Sequence, residues 1–225
     1  MYLYIYLLVV KMSRLKQFYE QDHFFRWSII PNQELDEYRR AETTFLFNHV
    51  REGSTLLDIG VGTGKSLEAV LERVSKAYGI DFSKLMLNEA RKSLGQNPKV
   101  ILEQADAENI PYEDSKFDYV ISTLNTYGNF ENPDKCLDEM LRVVKPDGEV
   151  ILGVYSQNAL ETQLKTYRQV GLNIERFDEE AVYTKEGLIS RRFTREKLEE
   201  IAKQHGAEIR VIELTSVSYI AILRK

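Results

Sequence analysis

The feature that most restricts how this chain can fold is the segment Leu56-Leu57-Asp58-Ile59-Gly60-Val61-Gly62-Thr63-Gly64-Lys65-Ser66. Apolar residues run straight into three alternating glycines, and Leu67, Val70, Leu71 and Val74 then recur at helical spacing. A buried strand over residues 55–59 therefore turns sharply into an amphipathic helix from Lys65 to about Val74. Glycines permit that turn and let the backbone approach a ligand with no side chain between. The helix start adds N–H groups and partial positive charge at the same place. Three ligand classes compete for such a loop. A P-loop needs G-x-x-x-x-G-K-[ST]; Gly64-Lys65-Ser66 supplies its end, but Ile59 stands where the first glycine belongs. A dinucleotide fingerprint needs G-x-G-x-x-G, and Lys65 stands at its third glycine. What remains is an acid, Asp58, ahead of Gly60, Gly62 and Gly64. A carboxylate there repels a pyrophosphate and suits a cationic ammonium group. The bland alternative for three glycines alone is a turn that binds nothing.

From Gly53 onward short apolar runs alternate with helical periodicity, the pattern of βαβ units and a mostly parallel sheet. Residues 76–80 read as the second strand, and Ser83 caps a helix that Gly95 ends. Residues 100–104 and 117–123 are the third and fourth strands. Asn132-Pro133 opens a helix that runs to about Val143. The turn Pro146-Asp147-Gly148 leads into a fifth strand over 149–155. Thr194 caps a helix ended by Gly206, and strands over 208–214 and 217–223 close the chain. Their link is too short for a parallel crossover, so the last strand runs antiparallel. About forty residues separate the fifth strand from the last helix, more than a simple connection needs. Within them 181–183 and 188–193 flank Thr184-Lys185-Glu186-Gly187 as a hairpin. An insertion there lies at the carboxyl edge of the sheet, where ligands bind, so 156–193 reads as a substrate-side cap. The 225 residues then divide into an aromatic, helical extension over 1–52, broken near Pro31, and a ligand-binding domain over 53–225.

Later segments extend the glycine motif. Asp81 follows Gly60 by 21 residues and opens Asp81-Phe82-Ser83-Lys84-Leu85-Met86-Leu87. Gln104-Ala105-Asp106-Ala107 closes the third strand, and Phe117-Asp118-Tyr119-Val120 and Val143-Val144-Lys145-Pro146-Asp147-Gly148 follow in turn. In order and spacing these resemble the motifs of the class I S-adenosylmethionine-dependent methyltransferases, over about residues 53–155. The resemblance implies an α/β fold, a doubly wound, mostly parallel seven-stranded Rossmann-like sheet with an antiparallel last strand and a small cap insertion. It implies S-adenosyl-L-methionine as cofactor, bound by Tyr19, Asp58, Gly60, Gly62, Gly64, Asp81, Phe82, Asp106, Ala107 and Thr123. In that pattern Asp81 takes the ribose hydroxyls and Phe82 covers the adenine. The Asp106 carboxylate accepts from the exocyclic amine, and the Ala107 N–H faces a ring nitrogen. Tyr19 belongs to an N-terminal lid, with Trp27 as a second candidate; core packing is the plain alternative for both. The segment Thr123 to Phe130 faces the methyl group, which makes Asn125 and Tyr127 the candidates for catalytic or acceptor contacts. It departs from the Asn-Pro-Pro-Tyr and Asp-Pro-Pro-Tyr sequences tied to methylation of base and glutamine amides, so a DNA or release-factor acceptor is disfavoured.

Composition narrows the partners. Thirty Lys+Arg against 35 Asp+Glu leave a net charge of −5, against nucleic acid as a default partner. One cysteine, Cys136, excludes an internal disulfide, and its apolar helical neighbours make it a buried hydrophobe. His23, His49 and His205 share no ligand spacing, so no metal is expected. The apolar opening MYLYIYLLVV falls short of the roughly 20 residues a bilayer span needs. Lys11 follows that run, whereas a secretory signal has its basic residues in front. The run reads as an added packed element or as sequence upstream of a true start at Met12, and a cytoplasmic protein without membrane contact is expected. Lys185, Arg191, Arg192, Arg195 and Lys197 are interleaved with Glu186, Glu196, Glu199 and Glu200 and read as a solvated face. The expected function is methyl transfer to a small-molecule acceptor. An RNA or protein acceptor, a non-catalytic cofactor-binding module and a nicotinamide-dependent oxidoreductase are the alternatives.

Overall fold

Val, Ile, Leu and Tyr side chains pack well on a pleated surface, and the runs rich in them pair as strands. The computed structural model describes Gln17, Tyr19, Glu20 and residues 32–225. Its strands are β1 (Ser54–Ile59), β2 (Val74–Asp81), β3 (Val100–Gln104), β4 (Phe117–Ser122), β5 (Val144–Tyr155), β6 (Ile174–Phe177), β7 (Ala181–Thr184), β8 (Ile189–Arg191), β9 (Glu208–Thr215) and β10 (Ser218–Arg224). Its α-helices are α1 (Gln33–His49), α2 (Lys65–Val70), α3 (Lys84–Leu94), α4 (Pro133–Val143), α5 (Leu160–Gln169) and α6 (Arg195–Gln204).

Seven strands form one sheet in the order β3-β2-β1-β4-β5-β10-β9. β1 to β5 pair in parallel, and β10 runs antiparallel to both β5 and β9. The strand order reverses between β1 and β4, so a crevice opens at their carboxyl ends. Alternation along β1 sends Leu57 and Ile59 to one face, with Leu137 and Met140 of α4 and Leu198 and Ile201 of α6. Leu56 points to the other, with Leu46 of α1, Leu67 and Val70 of α2 and Leu87 and Leu94 of α3. Helices thus cover both faces, the doubly wound arrangement expected.

Three local boundaries differ from expectation. α2 stops at Val70, short of Val74. The Arg73 N–H turns back to the Val70 carbonyl at 2.9 Å, and the Arg73 carbonyl accepts from Gly53 N at 2.8 Å. Val74 therefore enters the sheet opposite Ser54 rather than the helical face. β5 begins at Val144, since Phe117 pairs with Val144 and Tyr119 with Glu149, and Pro146-Asp147-Gly148 bulges between them. The insertion also holds more than a hairpin. α5 and β6 precede β7 and β8, and β6, β7 and β8 form a separate three-stranded sheet. α5 escapes a reading of apolar periodicity because Thr162, Gln163 and Thr166 lie on its buried face beside Leu164 and Tyr167. The insertion leaves and rejoins the main sheet at one point, where Phe193 N donates to the Tyr155 carbonyl at 2.9 Å.

The helix ahead of β1 is also tied to the insertion. Asn32 caps α1 through Leu35 N at 3.3 Å and donates its amide to Thr166 Oγ1 of α5 at 2.7 Å. Pro31, Trp27, Phe18, Phe24 and Phe25, and the opening run with Met12, lie outside the described residues.

Gly64 holds the start of α2 at φ +87°, and a Cβ there would meet Leu94 Cδ1 of α3 at 2.4 Å. Gly64→Ala should therefore lower unfolding stability by about 1–3 kcal/mol, read as an earlier urea midpoint with an unchanged slope.

Candidate active site

The turn after β1 is pinned to β2: Gly60 N and Val61 N both donate to the Ile80 carbonyl, at 2.8 and 3.0 Å. Gly60 and Gly62 sit at φ +71° and +52°, a region L side chains rarely enter. A Cβ on Gly60 would lie 2.5 Å from Thr126 Cγ2, so the segment after β4 closes tightly over the turn. Next door, Asp81 ends β2 with both oxygens engaged. Oδ2 accepts from Gly62 N and Oδ1 from Ser83 N, each at 2.9 Å. Burial pushes the Asp81 carboxyl up to about 6, against the lowering effect of those two N–H groups.

Asp58 is the anomaly of the site. It is 1% exposed, and neither carboxylate oxygen has a hydrogen-bond partner. Burial, with Glu42 and Asp81 nearby, drives its carboxyl well above the usual carboxylate range. A buried carboxyl without a protein partner suits a positive charge or a hydrogen-bond donor.

Glu42 is a member that sequence reasoning missed. It comes from α1, is buried, and accepts from Leu124 N through both oxygens, at 3.1 and 3.2 Å. Burial pushes its carboxyl up to about 8. The signal was present in the sequence: Glu42 continues the helical stripe Leu35, Tyr38, Leu46, an acid on an otherwise buried face.

Around this acidic floor stand the other candidates. Tyr19 meets Phe82 edge to face at 5.5 Å between ring centroids. Ser83 Oγ donates to the Tyr19 carbonyl at 3.1 Å, and Asn129 Nδ2 to the Tyr19 hydroxyl at 3.4 Å. Gln104 Nε2 donates to the Phe82 carbonyl at 2.8 Å. Thr123 Oγ1 and Ser66 Oγ are 2.8 Å apart, joining the end of β4 to α2. Asp106 lies just past β3; its Oδ1 accepts from Glu108 N at 3.0 Å, and Ala107 packs half-buried against the core. Trp27 lies outside the described residues.

Asn125 and Tyr127 are held inside the scaffold. Leu124 and Asn125 are non-glycine residues at φ +49° and +63°. The Asn125 amide ties its turn to two strands, β5 and β8: Oδ1 accepts from Tyr155 N at 3.0 Å, and Nδ2 donates to Ser190 Oγ at 3.0 Å and the Arg191 carbonyl at 3.2 Å. Tyr127 packs against Phe193 and Phe130, and its buried hydroxyl has no hydrogen-bond partner.

The basic cluster does not form one solvated face. Arg191 donates to the Gly128 and Phe130 carbonyls at 3.1 and 2.7 Å. Arg192 is buried against Gln163 and the Asp178 carbonyl, and Arg195 reaches the Val211 carbonyl at 2.7 Å. Each bonds backbone carbonyls of another segment, which spacing alone does not reveal, whereas Lys185, Arg195 and Lys197 remain exposed. His49 pairs with Glu149 and His205 with Asp138, each at 2.6 Å, and Cys136 is buried. Among the described residues no helix is long and apolar enough to cross a membrane.

Comparison with known proteins agrees with this geometry. A family model described as "Methyltransferase domain" matches residues 57–152. The chain is 36% identical over 121 residues to a demethylmenaquinone methyltransferase of Clavibacter sepedonicus, covering 54% of this chain and 49% of that protein. The chain spans about half the length of the curated relatives it matches. Among solved structures, a SAM dependent methyltransferase from Aquifex aeolicus superposes with a TM-score of 0.63 at 20% identity, covering 90% of this chain and 98% of that one. A Burkholderia thailandensis 1,6-didemethyltoxoflavin-N1-methyltransferase superposes with a TM-score of 0.62 at 15% identity, covering 86% and 79%. At these identities the superpositions establish a shared fold.

The three buried acids set the pH response of the ligand-free protein. Each carboxyl is raised on folding, so between the ordinary value (3.8 for Asp58 and Asp81, 4.5 for Glu42) and the raised value the folded chain holds protons that the unfolded chain has released. Stability must fall with rising pH in that window, by up to about 1.4 kcal/mol per pH unit for each such group. Glu149, held down to about 2 by its hydrogen bond to His49 and by Arg224, acts in the opposite sense but only at lower pH. The melting temperature should therefore drop steadily from pH 5.5 to pH 8; a flat profile contradicts this account of the site.

Proposed function

We propose that this chain, whose residues 57–152 belong to the methyltransferase-domain family on a class I fold, binds S-adenosylmethionine and transfers its methyl group to a small-molecule acceptor. The observation that carries this reading is the Asp58 carboxylate, buried and unpartnered beside a left-handed glycine turn. The ammonium of a zwitterionic amino-acid end satisfies it, whereas a pyrophosphate, or an uncharged ligand without donors, leaves it worse off. When bound, the cofactor supplies a methyl group on a positively charged sulfur, already activated for displacement.

What the protein adds is orientation and dryness. Asp81, locked by Gly62 N and Ser83 N, presents fixed acceptor lone pairs for the ribose hydroxyls. Phe82 and Tyr19 offer an apolar wall for the purine, and Asp106 with Ala107 sits at the edge where its amine and ring nitrogen are read. Thr126 and Tyr19 close over the turn and keep water from the sulfonium. Asn125 shapes the acceptor side by holding the turn after β4 against β5 and β8. Tyr127 has a buried hydroxyl with bonding capacity to spare, packed between Phe130 and Phe193. Alignment of nucleophile, methyl and sulfur can supply roughly 7–11 kcal/mol of the barrier. The small-molecule acceptor draws support from curated relatives named for demethylmenaquinone and from a structural neighbour named for didemethyltoxoflavin.

A thermal-shift panel of S-adenosylmethionine, S-adenosylhomocysteine, NAD, NADP and ATP tests the reading. Either sulfur nucleoside at ~100 times its dissociation constant should add about 2.7 kcal/mol; stabilisation by a nicotinamide dinucleotide alone refutes it. In the same assay Asp58→Asn should melt higher than wild type without ligand at pH 8, yet bind S-adenosylmethionine at least about tenfold more weakly, or about 1.4 kcal/mol.

A further inference from the structure

Glu42 lies outside the family match, on a helix whose other buried residues are Leu35, Tyr38 and Leu46. β5 makes room for it. A Cβ on Gly153 would lie 1.6 Å from Glu42 Oε1, so no residue larger than glycine fits there while the acid keeps its place. Gly153 in turn accepts from Asn125 N at 2.8 Å. The carboxylate thus sits over the carboxyl ends of three adjacent strands: Asp58 on β1, Leu124 just past β4 and Gly153 on β5. It receives one N–H, from Leu124, the first of two residues in the left-handed region. Among the described residues no Lys or Arg pairs with Glu42 or Asp58.

We propose that Glu42 is a positioning residue that clamps the turn after β4 to β1 and β5 and completes, with Asp58, a paired buried counter-charge for the cationic cofactor. This rests on the function proposed above. Two carboxylates at one dry site cannot both ionise cheaply, so the empty site keeps a proton on the pair. A cation entering the site favours the ionised form. The carboxylic O–H bond breaks and its proton passes to the buffer, leaving a carboxylate opposite the positive charge. The other titratable groups facing the pair are Tyr38 on α1, Tyr155 on β5 and Asp81 on β2, with Arg39 acting on Tyr155 from beyond. Asp81 is separately satisfied by backbone donors and supplies a smaller share of the proton.

The test is calorimetric titration of the full chain with S-adenosylmethionine near pH 7, repeated in two buffers of different ionisation enthalpy, which counts protons released. Wild type should release protons on binding, and Glu42→Gln, which keeps an acceptor for Leu124 N, should cut the count by about half or more. Gly153→Ala, which displaces Glu42 without altering any charge, should lower the count in the same direction. Binding by wild type with no proton release, or with an equal count in folded Glu42→Gln, overturns the inference and leaves the proposed function standing. Failure of wild type to bind at all overturns both.

Discussion

Three carboxyl groups taken out of water organise the carboxyl edge of this sheet. Asp58, Asp81 and Glu42 come from β1, β2 and α1 and meet where the strand order reverses, each buried. Each is treated differently. Asp81 receives two backbone N–H groups, Glu42 receives one, and Asp58 receives none. A folded chain keeps such a set only at a cost in stability, which a bound cation would offset. The same carboxyls disfavour a pyrophosphate at this glycine turn, since ionising any of them beside bound phosphates adds like-charge repulsion.

The second organising element is the attachment of α1 and the cap to the turn after β4. Ser190 Oγ in β8 gathers Asn125 Nδ2, Gln163 Nε2 and the Tyr167 hydroxyl at 3.0, 2.9 and 2.5 Å. Asn32 and Glu34 of α1 bond to Thr166 and Thr162 of α5. Leu124 and Asn125 hold left-handed backbone angles because these bonds surround them, which is how strain of order 1–3 kcal/mol per residue persists at functional sites. Elements flanking the family-matched segment thereby fix the turn after β4, while the segment itself carries the glycine turn and the acids Asp58 and Asp81.

Much of the candidate site around the glycine turn was legible because it is local. Asp58, the three glycines and Asp81 are fixed by strand ends and turns, and those depend on residues a few positions apart. The antiparallel β10 followed from the shortness of its link to β9. Glu42, α5 and the arginines were not legible for the same physical reason seen in reverse. An acid on a helix, a Thr-Gln-Thr face and an Arg-Arg pair all look like solvent-facing polarity until another element covers them. Gln163, for example, is buried only because Ser190 and Arg192 arrive from β8 and just beyond it.

By itself, then, the amino-acid order determined the alternation of strands and helices, the left-handed turn after β1 and the acids at the ends of the first two strands. Backbone sterics and hydrophobic periodicity act over a few residues and leave marks in the chain. Tertiary structure alone decided which polar side chains lose their water, that Glu42 would be buried against Leu124 and Gly153, and that Asn125 would bond to β8. Desolvation and long-range hydrogen bonds depend on what packs from afar, and a one-dimensional sequence carries that information only implicitly.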